Sequence, residues 1–185
     1  MSTDGFSKIA VIGAGTMGSG IAAQIANAGH EVMLLDLPAR EGADKSPAEM
    51  AIDRLMASDP PQLMHKRNAG RSVTGTISDD FGKLAECDWI IEAVVERLDI
   101  KKDLYARLDA TIGPDCVVSS NTSTIPISLL VEDMPTAFRK RFAITHYFNP
   151  VRYMRLLELV RGTDTDQAVI DRLAEAVGIS GWEMR

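Results

Sequence analysis

The chain has 185 residues, of which 45% are apolar and 25% charged, with a formal net charge of −6 and an isoelectric point near 5.1. These values are typical of one soluble globular domain, predicted over residues 1–185, and they argue against nucleic acid as the main partner. No apolar run approaches the roughly 20 residues of a membrane-spanning helix, and no signal peptide is recognisable. Two cysteines, Cys87 and Cys116, predict buried thiols in a reducing cytoplasm, with no disulfide framework and no metal site.

The first feature along the chain is a glycine-rich loop between a predicted strand, residues 9–12, and a predicted helix, residues 16–28. Gly13 allows a tight turn, Gly15 allows a pyrophosphate to approach the backbone, and Gly18 allows the helix to pack closely on the strand. The helix N-terminus then presents free N–H groups and a positive dipole end to an anion. This pattern indicates a dinucleotide-binding site.

A second predicted strand, residues 31–36, ends in an acid, Asp36, which follows Gly18 by 18 residues. A carboxylate at this spacing binds the ribose hydroxyls of an adenosine and repels a 2′-phosphate. The sequence therefore predicts NAD rather than NADP. A glycine-rich turn without a ligand is the alternative, and the combination of strand, helix, second strand and acid disfavours it.

A helical insertion, about residues 46–69, is predicted after the second strand. Ser46 and Pro47 are typical of the start of a helix that runs to Ala57, and a second helix is predicted over residues 62–69. The insertion either reaches over the cofactor or substrate side of the sheet or is a surface hairpin without a ligand role. The pattern favours the surface hairpin slightly.

Strands and helices alternate through the rest of the chain. The remaining predicted strands are residues 72–77, 88–95, 116–119, 142–145 and 155–160, and the predicted helices are residues 79–86, 98–112, 127–131 and 166–177. This alternation predicts an α/β fold, a Rossmann-type doubly wound and mostly parallel sheet. Ligands of such sheets lie beyond the carboxyl ends of the strands, where Asp36, Glu96, the polar turn 119–124 and His146 are expected.

His146 and Glu158 are candidates for a catalytic pair. Glu158 lies within an apolar strand, where a carboxylate needs a partner, and the turn at residues 149–150 would return that strand beside His146. Such a pair acts as a base whose imidazolium is stabilised by the carboxylate. His146 could instead be structural, and Glu158 could instead pair with an arginine, since three are close in sequence: Arg152, Arg155 and Arg161.

The turn at residues 119–124 is rich in hydroxyl groups. Most such clusters cap helices and form turns. The functional alternative is hydrogen bonding to a substrate oxygen and a nicotinamide, and the residues alone do not single out one serine.

These motifs resemble the N-terminal NAD-binding domain of the L-3-hydroxyacyl-CoA dehydrogenases. The matching segments are residues 13–18, 91–96 with Lys101, 120–123, 146–151 and 154–158. The His-x-Phe-Asn-Pro block at residues 146–150 distinguishes this family from 3-hydroxyisobutyrate and 6-phosphogluconate dehydrogenases, which share the glycine loop. The segment 88–101 is similar to long bacterial members in which the dehydrogenase precedes an enoyl-CoA hydratase domain.

The resemblance implies an oxidoreductase of fatty-acid β-oxidation that transfers hydride between C3 of a 3-hydroxyacyl-CoA and NAD. It implies that His146 is the catalytic base, Glu158 its partner and Ser123 a contact of both substrate and nicotinamide. The cofactor-binding candidates are Gly13, Gly15, Thr16, Met17, Gly18, Asp36, Ala93, Glu96, Lys101, Ser123 and Asn149. Lys66 in the insertion is a weak candidate for a CoA contact.

Family members continue past the equivalent of Gly178 into a further strand and a helical domain. That domain supplies another active-site asparagine, part of the cleft and the dimer interface, and residues 179–185 match the expected strand poorly. We therefore expect an incomplete enzyme of low activity, from a parent that is a homo-oligomer through that domain. The alternatives are a dinucleotide-binding protein without catalysis, like the lens-crystallin relatives, and a related hydroxyacid dehydrogenase.

Overall fold

The computed structural model describes residues 5–178, which contain one seven-stranded sheet. The strands are β1 (Ile9–Ile12), β2 (Val32–Asp36), β3 (Ser72–Thr76), β4 (Trp89–Glu92), β5 (Val117–Ser120), β6 (Phe142–Tyr147) and β7 (Leu157–Arg161). Their order is β3-β2-β1-β4-β5-β6-β7, with β1 to β6 parallel and β7 antiparallel to β6. The predicted doubly wound, mostly parallel sheet is confirmed, and the prediction for residues 179–185 lies outside the described residues.

Helices cover both faces of the sheet. They are α1 (Thr16–Asn27), α2 (Pro47–Ala57), α3 (Leu98–Asp109), α4 (Ile127–Leu130), α5 (Thr136–Lys140) and α6 (Gln167–Ala176), with 3₁₀ helices at Lys66–Arg71 and Phe81–Glu86. Ile21 of α1, Ala51 of α2 and Leu173 of α6 belong to one buried cluster. Leu108 of α3 and Phe138 of α5 belong to the cluster on the opposite face. No helix among residues 5–178 is long and apolar enough to cross a bilayer.

The predicted second helix of the insertion, residues 62–69, is present only in its last part, where residues 66–69 belong to a 3₁₀ helix. The chain is irregular before the 3₁₀ helix Lys66–Arg71, because the side chain of Asn27 binds its backbone. The Asn27 Nδ2 donates to the carbonyl of Gln62 at 3.0 Å, and its Oδ1 accepts from the N–H of Met64 at 2.8 Å. The insertion is therefore one helix, α2, followed by a segment held by the end of α1.

The predicted strand 88–95 also ends early, at Glu92. Its neighbour β1 stops at Ile12, where the chain turns at Gly13, and the N–H of Ala93 makes the last bond to the Ile12 carbonyl at 2.8 Å. Beyond this point no neighbouring strand continues the ladder, so the residues that follow form a loop at the sheet edge. The short helix α5 was not predicted.

Candidate functional site

The glycine loop follows β1 and opens α1. Gly13 has a φ of +104°, and a Cβ there would lie 2.5 Å from the carbonyl oxygen of Ala93. A Cβ at Gly18 would lie 1.7 Å from the Gly13 carbonyl oxygen, whereas a Cβ at Gly15 would meet no atom within 4 Å. Gly13 and Gly18 thus close the turn against β4 and α1, and Gly15 faces the open space into which a pyrophosphate could fit.

The glycine loop and the first turn of α1 lie beside the end of β2. Thr16 is exposed and Met17 half-buried in the first turn of α1. Asp36 at the end of β2 accepts hydrogen bonds from the N–H groups of Ala14, at 2.5 Å, and Leu37, at 2.6 Å. Asp36, the residue predicted to bind ribose, therefore lies against the glycine loop, and these two hydrogen bonds hold its carboxylate in position.

A buried ion pair lies under the same carboxyl end of the sheet, and its acidic partner was not among the residues predicted from the sequence. Glu92 is fully buried, and its Oε1 lies 2.7 Å from the Nζ of Lys101, which is also buried. Tyr105 and Ser120 donate to Glu92 Oε2 at 2.7 and 2.6 Å. Burial and the charge of Glu92 raise the pKa of Tyr105, which keeps it protonated as a donor. In the sequence, the signal for Glu92 was an acid within the apolar run of the predicted fourth strand.

Glu96 connects this pair to the hydroxyl-rich turn. Its Oε2 lies 3.2 Å from Lys101 Nζ, and its Oε1 accepts hydrogen bonds from Thr122 and, at 2.9 Å, from Thr124. Burial alone would raise the pKa of Glu96, but the Thr122 bond, the charge of Lys101 and the Thr124 bond together lower it. The Glu96 side chain is 41% exposed, whereas Lys101 is buried. Lys101 therefore acts on the site through its ion pair with Glu96. The two threonines flank Ser123, which is exposed.

His146 and Glu158 face each other across β6 and β7. They are register partners, and His146 Nδ1 lies 2.8 Å from Glu158 Oε2. Nδ1 is therefore engaged with Glu158, and Nε2 is free to accept a substrate proton. The Phe148 ring packs against the imidazole, with 4.4 Å between the two ring centroids. Within the described part of the chain Glu158 pairs with no arginine, since Arg152 and Arg161 bind carbonyl and amide oxygens instead.

The hydroxyl-rich turn is tied to the strand that carries His146. Asn121 Oδ1 accepts from the N–H of Tyr147 at 2.9 Å, and Ser119 Oγ lies 2.8 Å from Thr145 Oγ1. Asn149 is exposed in the turn after β6. These hydrogen bonds hold the turn after β5 against the end of β6. The predicted catalytic residues therefore lie at the same carboxyl end of the sheet.

The insertion also contacts the turn between β6 and β7. Arg152 and Tyr153 both donate to the carbonyl of Pro61, the tyrosine at 2.8 Å. Val151 packs on α1 so closely that a Cβ at Gly20 would lie 2.9 Å from its Cγ2. The insertion, α1 and the turn after His146 are thus one packed unit, which favours an insertion that borders the site over a detached surface hairpin.

The two cysteines are buried free thiols. Burial raises the pKa of Cys87 to about 11 and that of Cys116 to about 12, so neither thiol is a nucleophile at neutral pH. Among residues 5–178 no three His, Cys, Asp or Glu side chains are grouped so that they could hold a metal ion.

Known proteins are similar to this chain over nearly its whole length. Residues 8–181 match the model of the 3-hydroxyacyl-CoA dehydrogenase NAD-binding domain. A Rickettsia felis protein, named as a fatty acid oxidation complex trifunctional enzyme, is 40% identical over 168 residues, which are 90% of this chain and 23% of that protein. A Deinococcus radiodurans protein, named as a 3-hydroxyacyl-CoA dehydrogenase, is 39% identical over 169 residues, 91% of this chain and 49% of its own length.

Solved structures agree with these sequence matches. The crystal structure of 3-hydroxybutyryl-CoA dehydrogenase from Escherichia coli superposes with a TM-score of 0.79 and 34% identity. The match covers 93% of this chain and 36% of that one. The chain thus spans less than half the length of each of these three proteins.

Proposed function

The chain belongs to the 3-hydroxyacyl-CoA dehydrogenase family, as its NAD-binding domain, and we propose that it carries the cofactor site and the catalytic base of such an enzyme. The observation that carries the proposal is the 2.8 Å contact between His146 and Glu158 at the strand edge that also presents the glycine loop. The proposed reaction is the oxidation of a 3-hydroxyacyl-CoA to the 3-oxoacyl-CoA, or its reverse, in fatty-acid β-oxidation.

The proposed role of His146 is proton transfer at the 3-hydroxyl group. In the oxidation direction its Nε2 takes the hydroxyl proton as the carbon–oxygen double bond forms, and Glu158 stabilises the resulting imidazolium through Nδ1. NAD, when bound, accepts the hydride from C3. Ser123 and His146 together hold the 3-oxygen, and the Glu96 contacts with Thr122 and Thr124 hold Ser123 in place.

The proposed cofactor site begins at the glycine loop and ends near the catalytic pair. Asp36 would bind the adenosine ribose, and the backbone at Gly15 and the first turn of α1 would hold the pyrophosphate. Asn149 and Ser123 contact the nicotinamide end, with Glu96 at the cofactor side. Lys101 acts through Glu96, since its Nζ is buried between two carboxylates.

The proposed partners and setting come from membership of the family. The substrate is an acyl-CoA, and the parent enzyme is a homo-oligomer whose subunits associate through a further domain. We also propose a reducing, cytoplasmic setting, supported by the two free and buried thiols.

The catalytic assignment is tested by His146→Ala and Glu158→Gln in the longest natural gene product that contains these residues. With acetoacetyl-CoA and NADH, we expect His146→Ala to lower the turnover rate by roughly 10² to 10⁴-fold, the usual value of a positioned base. Glu158→Gln keeps a hydrogen-bond acceptor but loses the charge, so its effect should be smaller. NADH binding should be nearly unchanged in both variants.

His30→Ala is the matched control, because His30 is an exposed histidine outside the pair. It should leave turnover unchanged. A His146→Ala enzyme that is as active as the His30→Ala enzyme would rule out His146 as the base. If the unaltered protein binds NADH but never oxidises it with acetoacetyl-CoA, the chain is a dinucleotide-binding protein without this catalysis.

A further inference from the structure

One basic side chain of the insertion reaches the glycine loop. Arg54 of α2 donates from Nη2 to the carbonyl oxygen of Ala14 at 3.0 Å. The N–H of the same residue donates to Asp36 at 2.5 Å. Ala14 is therefore held from both sides, by a carboxylate from β2 and by a guanidinium from a helix 40 residues along the chain.

Among residues 5–178, no carboxylate forms an ion pair with Arg54. The side chain nevertheless belongs to a helix with two acids nearby. Asp53 pairs with Lys45 at 2.6 Å, and Glu49 accepts from Ser46 in the capping box of α2. The guanidinium has five N–H donors, of which the Ala14 carbonyl takes one. Four donors and a full charge remain at the edge of the loop.

The glycine loop itself supplies no cation. Its residues are Gly, Ala, Gly, Thr, Met and Gly, from Gly13 to Gly18, and Asp36 adds a negative charge beside them. A pyrophosphate brings two more negative charges, and the α1 N-terminus offsets about half of one. A guanidinium can bind phosphate oxygens with two parallel hydrogen bonds. The open side of Gly15 is next to the residue that Arg54 contacts.

We propose that Arg54 is a cofactor-binding residue that presents its guanidinium to the pyrophosphate of NAD. The assignment rests on the proposed NAD-binding function and adds to it a cation supplied by the insertion. It gives α2 a role in cofactor affinity, and it predicts that part of this affinity is electrostatic.

The test is a fluorescence titration of this chain with NADH, comparing the unaltered protein with Arg54→Ala and Arg54→Lys at low salt and at 0.5 M NaCl. We expect Arg54→Ala to weaken binding roughly tenfold or more at low salt, the range for a charged hydrogen bond. The loss should shrink at 0.5 M NaCl because salt screens an exposed charge. Arg54→Lys keeps the charge and should lose less. Competition by ADP-ribose, which retains the pyrophosphate, should weaken by the same factor.

Arg67→Ala is the control, since Arg67 is an exposed arginine of the same insertion. Thermal melts of every variant establish that the fold is retained. Equal affinity of the Arg54→Ala and Arg67→Ala variants at low salt would overturn the assignment. A loss of NADH affinity that is the same at both salt concentrations would also overturn it, because such a loss is expected of an arginine that only supports the loop. An unaltered chain that does not bind NADH would refute the proposed function together with this inference.

Discussion

Asp36 is a single carboxylate with two tasks at the glycine loop. Its oxygens accept from the N–H groups of Ala14 and Leu37, so the acid is oriented by the backbone. A carboxylate in this position can accept from the 2′- and 3′-hydroxyls of an adenosine ribose, and it repels a 2′-phosphate. In the proposed role, the same charge would both support the loop and favour NAD over NADP.

We expect Asp36→Ala to weaken NADH binding roughly tenfold or more, since hydrogen bonds to charged groups contribute about 1.5–3 kcal/mol. Asp36→Asn keeps an acceptor for the Ala14 N–H but lacks the charge, so it should bind NADPH better than the unaltered protein does. Titrations with NADH and NADPH measure both effects. Unchanged NADH affinity in Asp36→Ala would remove the ribose role.

The sequence predicts some of the site residues and not others, for physical reasons. His146 and Glu158 could be predicted because strand alternation and a turn at residues 149–150 place them together. Glu92 is noticeable in the sequence as an acid after an apolar run, but its buried network could not be predicted, because its partners Lys101 and Tyr105 come from the next helix. The Arg54 contact depends on how α2 packs on α1, which no local pattern encodes.

Helix α3 contributes the buried cation of the site from its first turns. Lys101 lies between Glu92 and Glu96, while the next residue, Lys102, points outward to Glu132 and Asp133. Removing one member of a buried pair leaves the other charge unpaired, which costs far more than the loss of a surface contact. We therefore expect Lys101 and Lys102 to contribute differently to the free energy of unfolding.

We expect Lys101→Met to lower the free energy of unfolding by about 3–5 kcal/mol, since it strands Glu92. Lys102→Met should cost no more than about 1 kcal/mol, the range for exposed pairs. Urea denaturation of both variants measures the difference. Similar costs for the two substitutions would contradict the buried network.

At the scale of elements, most predicted strands and helices are present in the structure, including the short α4, whereas α5 and part of the insertion differ from the prediction. The pattern at Ser46 and Pro47 predicted α2, and the structure has its capping box. Helix α5 has five residues and one buried side chain, Phe138, which is too little for a periodicity. Residues 62–65 lose their predicted helix to the side chain of Asn27, a tertiary contact that overrides local propensity.

The whole molecule brings these parts together through its strand order. Because β1, β4, β5 and β6 are neighbours, their carboxyl ends place the glycine loop, Glu96, Ser123 and His146 along one edge. Alternation of strands and helices was enough to predict this edge.

The most direct test is a calorimetric titration of NADH into this 185-residue chain and its His146→Ala variant. We expect saturable binding at one site, with nearly equal affinity in the two proteins, because the proposed cofactor contacts are the glycine loop and Asp36, whereas His146 is the proposed proton acceptor. An absence of saturable binding, or a loss of affinity in His146→Ala as large as in Asp36→Ala, would contradict the proposed function.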